Sequence, residues 1–188
     1  MIKSHQNIKI YPDGIIEILI PDFIKIDARE KAQIANVENK YSLYKGESNK
    51  YVNELSNLSE MCFHYVFPSA QYDSTIHYDF KWFNKKVDIK CKKAKYKPYN
   101  TFVASVLQDQ YFRQQNEVYV FVRVREDFNV CWILGAYNKK KFLNDSELSI
   151  KGTINKSTGY VTKENSYDLP IGKLIRLDKY IEWSKIND

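Results

Sequence analysis

Hydrophobic and polar positions along this chain repeat with periods that predict its elements. Ile8 and Ile10, the turn Pro12-Asp13-Gly14 and the apolar run from Ile15 to Ile20 predict a hairpin over residues 7–20. Asp27 suits a helix N-cap, with the helix running to about Leu43 and ended by Lys45-Gly46. A second helix is predicted from Ser48 to Tyr65. Its apolar positions Tyr51, Val52, Leu55, Leu58, Cys62 and Tyr65 are spaced three and four apart and form one stripe, with Glu60 on its flank.

A hairpin over 75–92 follows, then a loop rich in lysine and tyrosine. Residues 102–115 predict a helix, with Phe102, Val103, Val106, Leu107 and Tyr111 apolar. Glu117–Arg125 is a predicted strand with Val118, Val120, Val122 and Val124 on one face and Tyr119 and Phe121 on the other. Asn129–Tyr137 is its predicted hairpin partner, and a short helix follows around Asn138–Leu143. Residues 148–170 are polar and punctuated by Gly152, Gly159 and Pro170, so they predict loop, and Asp178–Lys185 predicts a last helix. This order implies an α/β (α+β) fold, a mixed central sheet flanked by helices. A single domain over 1–188 is expected: hairpin and helix (1–46), core (47–137), and a C-terminal extension packed on the core (138–188).

Composition narrows the function classes. The chain has 188 residues, 44% hydrophobic and 15% aromatic, enough for a globular core. A net charge of +6 favours a polyanionic partner, although Lys, Asn, Ile and Tyr are abundant throughout and part of the excess is compositional. Cys62, Cys91 and Cys131 are odd in number and lack CxxC spacing, which points to free thiols in a reducing interior. The N-terminus lacks the apolar stretch of a signal peptide, and the apolar runs are too short to span a bilayer. The expectation is a soluble, cytoplasmic protein with no membrane partner.

Candidate chemistry concentrates in the 75–92 hairpin. Residues i and i+2 of a strand share a face, so Asp88 and Lys90 point together while Ile89 points away. A turn at Asn84-Lys85 would set Phe83 opposite Lys86, Lys81 opposite Asp88 and Asp79 opposite Lys90. Asp79 then joins Asp88 and Lys90 on one face, a grouping suited to holding Mg²⁺ and activating water. The plainer reading is an exposed hairpin face whose cross-strand charge pairs contribute a few tenths of a kcal/mol. Against it, Asp is disfavoured inside strands, and here two share a face beside a helix.

Asp79 followed by Asp88-Ile89-Lys90 resembles the PD-(D/E)XK nuclease superfamily, over roughly residues 47–137. The resemblance implies a restriction-endonuclease-like core and a metal-dependent deoxyribonuclease. Asp79 and Asp88 would be the metal carboxylates, with the Ile89 carbonyl and Glu60 completing the shell around Mg²⁺, or Mn²⁺ in its place. Lys90 would be the catalytic lysine, and Glu60 the helix glutamate, with Glu54 and Glu47 as weaker alternatives. Tyr78 stands where the family has proline, and Asp73, at the same strand parity, is an alternative first aspartate.

Seven lysines and one acid lie between residues 85 and 97. Lys92, Lys93, Lys95 and Lys97, interleaved with Tyr96, could grip phosphates and stack bases, or simply form a solvated loop. Gln108, Gln110, Gln114 and Gln115 read as the polar face of the following helix. Three histidines without ligand spacing, and the lack of a Walker A loop, dinucleotide fingerprint or GxSxG elbow, argue against other chemistries. The expected partner is nucleic acid, DNA before RNA, and a homodimer would suit cutting of both strands. Two rivals stay open: a non-catalytic nucleic-acid binder with a nuclease-like fold, and an accessory protein docking partners through Tyr160, Tyr167, Tyr180 and Trp183.

Overall fold

The computed structural model describes residues 6–38, 48–73, 75, 77–154 and 161–178. Among these residues the chain folds as mixed α+β around a seven-stranded sheet. The strands β1 (Ile8–Ile10), β2 (Ile16–Leu19), β3 (Gln71–Tyr72), β4 (Phe80–Trp82), β5 (Lys85–Ala94), β7 (Val118–Arg125) and β8 (Val130–Asn138) lie in the order β1-β2-β8-β7-β5-β4-β3. Only β5 and β7 run parallel. A second sheet of three strands, β6 (Val103–Leu107), β9 (Glu147–Ser149) and β10 (Ser166–Pro170), has β10 in its centre.

Strand alternation splits the core in two. Val118, Val120, Val122 and Val124 of β7 face α1 (Asp22–Glu38) and α2 (Ser48–Val66), packing with Ile24, Ala28, Leu58, Cys62 and Phe63. Tyr119 and Phe121 face the opposite way, against Ala104, Val106 and Leu169 of the small sheet and Phe142 of α4 (Lys139–Asp145). Both faces of β7 are therefore covered, which explains why its sequence is apolar at nearly every position. Gly135 sits opposite a register shift between Phe121 and Val122. A Cβ there would lie 2.7 Å from the Ile175 carbonyl, so only glycine lets the 174–176 segment bridge to Ala136.

Several expectations need correction. The first helix begins at Asp22, directly after Pro21, because Ile24, Ala28 and Ala32 already form its buried stripe; its expected end near Leu43 lies outside the described residues. Residues 102–115 are not one helix but β6 followed by α3 (Gln108–Arg113). β10, some sixty residues on, supplies the backbone partners that make β6 a strand, which no local pattern reveals. The polar stretch 148–170 likewise contributes strands β9 and β10. Tyr167, a docking candidate in one of the rival readings, is buried in the core; Tyr160, Tyr180, Trp183 and the helix expected over 178–185 fall outside the described residues, apart from Asp178. The β4–β5 turn is Phe83-Asn84, both at positive φ (48° and 58°), a two-residue hairpin turn without glycine. Trp82 therefore pairs with Lys85, Lys81 with Lys86 and Phe80 with Val87, instead of the expected pairs. No described helix is long and apolar enough to cross a membrane.

Candidate active site

The site forms where β4 stops pairing with β5. Lys86 and Ala94 offer their carbonyls to Glu117 and Glu126, flanking β7, so the even-numbered residues of β5 bond toward β7. The odd-numbered ones point the other way, toward β4. β4 covers them only as far as Val87. Beyond it, Asp79 takes over: its N–H donates to the Val87 carbonyl at 2.9 Å, and its Oδ2 accepts the Ile89 N–H at 2.7 Å. Because the N–H and C=O of one strand residue point the same way, the Ile89 carbonyl also faces this open edge. Asp79 lies beside Val87 and Ile89, not opposite Lys90 as the assumed turn implied.

Asp88 and Lys90 point together, as strand parity requires, into the face shared with the small sheet. Asp88 is only 4% exposed. Its Oδ1 accepts the Gln114 side-chain N–H at 2.7 Å, and its Oδ2 lies 2.8 Å from the Lys90 ammonium as an ion pair. Lys90 also donates to the side-chain oxygens of Gln114, at 2.7 Å, and Gln110, at 3.0 Å. Gln114 thus donates to the carboxylate and accepts from the ammonium with one amide group. It stands just past α3, at the Ccap. Lys139, at the start of α4, donates to the Gln114 backbone carbonyl and adds positive charge near Asp88. Sequence reasoning favoured a polar helix face for the glutamines over a place at the site, and it did not bring Lys139 there. The signal was there: four glutamines within eight residues, directly after the strand that follows Asp88-x-Lys90 in chain order.

Glu60 reaches the site from α2. It is buried, accepts the Tyr72 hydroxyl at 3.1 Å, and has the Ser56 hydroxyl at 3.4 Å. Burial pushes its carboxyl up to about 7, with the Asp88 charge adding to the rise and the Tyr72 hydrogen bond opposing it. Asp79 is held well above the usual carboxylate range by burial and then by the charges of Glu60 and Asp88. Burial likewise raises Asp88, with Lys90 the main offset. Glu60, Asp79 and Asp88 thus form an acidic cluster in which the charges of Glu60 and Asp88 raise Asp79 and that of Asp88 raises Glu60.

Asp79, Asp88, Lys90, Gln110, Gln114 and Ser56 line one cavity of about 420 Å³. Among the described residues no three His, Cys, Asp or Glu side chains gather as a group able to hold a metal ion by themselves. Two carboxylates and a backbone carbonyl are nonetheless a set that suits Mg²⁺, which keeps several waters and needs few protein ligands. The Oδ1 of Asp79 takes no hydrogen bond among the described residues, whereas both oxygens of Asp88 are engaged, Oδ1 by Gln114 and Oδ2 by the Lys90 ammonium at 2.8 Å. The donor set fits a hard divalent cation.

The other predicted residues scatter. Asp73 pairs with Lys81 at 2.6 Å and accepts the Tyr78 hydroxyl, outside the cavity lining. Glu54 pairs with Arg29 at 3.1 Å, and Glu47 lies outside the described residues. Lys92 lines the cavity. Lys93 is exposed with its ammonium over the Phe128 ring, and Lys95 lies over Tyr96, itself 67% exposed. Lys97 is turned to Asp13, at 2.8 Å, and to the Tyr11 ring. No protein-family model matches this chain, and no curated protein matches it.

Proposed function

We propose that this chain is a Mg²⁺-dependent nuclease with a restriction-endonuclease-like core, hydrolysing phosphodiester bonds, with DNA the first substrate to try. The observation that carries the reading is the Asp79–Asp88–Lys90 group at the open edge of β5, with Asp88 buried, on the lip of a polar cavity. Asp79, Asp88 and the Ile89 carbonyl would hold the cation, with Glu60 behind them. When bound, Mg²⁺ lowers the pKa of water and polarises phosphoryl oxygens.

The chain's own residues do the rest. Asp88 and Asp79 supply negative charge that is costly in a buried site unless met by a cation. Lys90, tied to Gln110 and Gln114, holds an ammonium in place before substrate arrives. There it can donate a hydrogen bond to an attacking water or to a phosphoryl oxygen gaining charge, and such preorganised donors do most where water is excluded. Water oxygen bonds to phosphorus as the bond to the leaving oxygen breaks, and the lost proton passes to solvent or a neighbouring base. Lys93 and Lys95, both exposed, suit contacts to flanking phosphates and make activity fall with salt.

One observation favours the rival reading, a non-catalytic binder of nucleic acid: the Lys90 ammonium already neutralises Asp88 at 2.8 Å. The two readings part on Asp88→Ala. A nuclease loses cleavage and keeps nucleic-acid binding, whereas a pure binder shows no metal-dependent cleavage in either form. Wild-type cleavage by Asp88→Ala would exclude the proposed site.

A further inference from the structure

The cavity has a second end. Past Lys90 the same wall is continued by Lys92 and by Ser105 of β6. Lys92 stands opposite Arg123 in the parallel β5–β7 pair, so two cations sit side by side on one face. Like charges directly opposite destabilise a sheet. Arg123 is 6% exposed and donates to the Val103 carbonyl at 2.6 Å.

The charge here is poorly balanced. Asp168, opposite Ser105 across β6–β10, is the nearby acid, yet its two oxygens are taken by the hydroxyls of Ser149, at 2.6 Å, and Ser166, at 3.2 Å. Lys92 has no ion pair among the described residues. Although its side chain reaches solvent, the protein atoms crowding it and the Arg123 charge bring it down to about 8. Ser105 is 8% exposed, and its hydroxyl finds no hydrogen-bond partner among the described residues. An unpaired hydroxyl buried in the cavity wall, on a residue that lines the same cavity as Lys92, has an unmet need for an acceptor, and the two adjacent cations favour an oxyanion.

We propose that Lys92 and Ser105, with Arg123 behind them, form an oxyanion subsite that takes a phosphate of the polynucleotide adjacent to the scissile one. The identity of the ligand rests on the nuclease reading; the existence of the anion site does not. Lys90 and Lys92 are two residues apart on one strand face, about 7 Å, comparable to the distance between neighbouring phosphates on a nucleic-acid strand. A chain crossing the cavity would thus set one phosphate at Asp88 and Lys90 and the next at Lys92 and Ser105. The hydroxyl donates to a phosphate oxygen, the Lys92 ammonium supplies a direct charge contact, and Arg123 contributes its field without leaving the core.

The test is titration of the folded, metal-free protein with inorganic phosphate, followed by NMR of backbone amides and the arginine Nε–H. Saturable shifts should appear at Lys92, Ser105 and Arg123. The dissociation constant should weaken about tenfold in Lys92→Gln and binding should vanish in Lys92→Gln/Ser105→Ala, with the rest of the spectrum unchanged. Ser105→Ala alone loses no internal hydrogen bond and folds as the parent does. No saturable shift, or an unchanged constant in Lys92→Gln, would overturn the subsite. Cleavage of DNA by the same preparation separates the two ideas. Cleavage without phosphate binding removes the subsite and leaves the nuclease. Phosphate binding without cleavage supports an anion site and removes the nuclease.

Discussion

The Asp79 carboxylate accepts the backbone N–H of Ile89 at 2.7 Å. This one bond does what the next residue of β4 would have done, and it fixes Asp79 at the edge where β5 is left open. Asp79→Ala should leave that N–H orphaned and cost about 1–3 kcal/mol. Asp79→Asn keeps an acceptor there while removing charge from the cluster. It should match wild-type stability at pH 8 or exceed it, yet lose cleavage. Urea denaturation beside a cleavage assay checks both halves.

Gln114 links Asp88 to Lys90 through a single amide group. Gln114→Ala should leave the ammonium held only by Gln110 and Asp88 and reduce the cleavage rate by about tenfold to a hundredfold at saturating substrate. KM should change little. Gln114→Glu should be worse, since it removes the donor to Asp88 and sets another carboxylate directly against it. Single-turnover kinetics separate the rate from binding.

Glu60 carries a pH signature. Its carboxyl rises from an ordinary 4.5 to about 7 on folding. Between those values the folded state holds a proton that the unfolded state has lost, so stability falls as pH rises through this window. The contribution is fully present below about pH 4.5 and lost above about pH 7, on the order of 3 kcal/mol. Asp79 and Asp88 are raised too and push the same way. Denaturation midpoints at pH 5.5 and 8 should show the wild type weaker at pH 8. Glu60→Gln should flatten the profile and gain most at pH 8.

The lysines after β5 should differ in their effect on binding. Lys97 is engaged with Asp13 and Tyr11, so Lys97→Ala should leave nucleic-acid affinity nearly unchanged. Lys95→Ala should weaken it across sequences and lower the salt slope by about 1. Fluorescence anisotropy over a salt series distinguishes the two.

What could be read from the chain was what local pattern controls. The parity of Asp88 and Lys90, the two faces of β7 and the stretch of the α2 stripe from Leu55 to Tyr65 follow from spacing alone, and each stands in the structure. What could not be read depends on distant partners. Val103–Leu107 is a strand because Ser166–Pro170 lies beside it. The hairpin register turned on Phe83 and Asn84 adopting positive φ without a glycine to announce it. Gln110, Gln114 and Lys139 reach the site only because α3 and α4 fold back over β5 and β7. A polar helix face and a lysine run look the same in sequence whether they meet solvent or a buried carboxylate.

Mg²⁺ titration of the purified protein with labelled plasmid and single-stranded DNA, beside Asp88→Ala and Lys90→Ala, asks whether the Asp79–Asp88–Lys90 site cuts. The expected result is metal-dependent cleavage by the wild type, lost in both variants while their folding and DNA binding persist. Metal-dependent cleavage at the wild-type rate by Asp88→Ala, or none by the wild type at any Mg²⁺ or Mn²⁺ concentration, would contradict it.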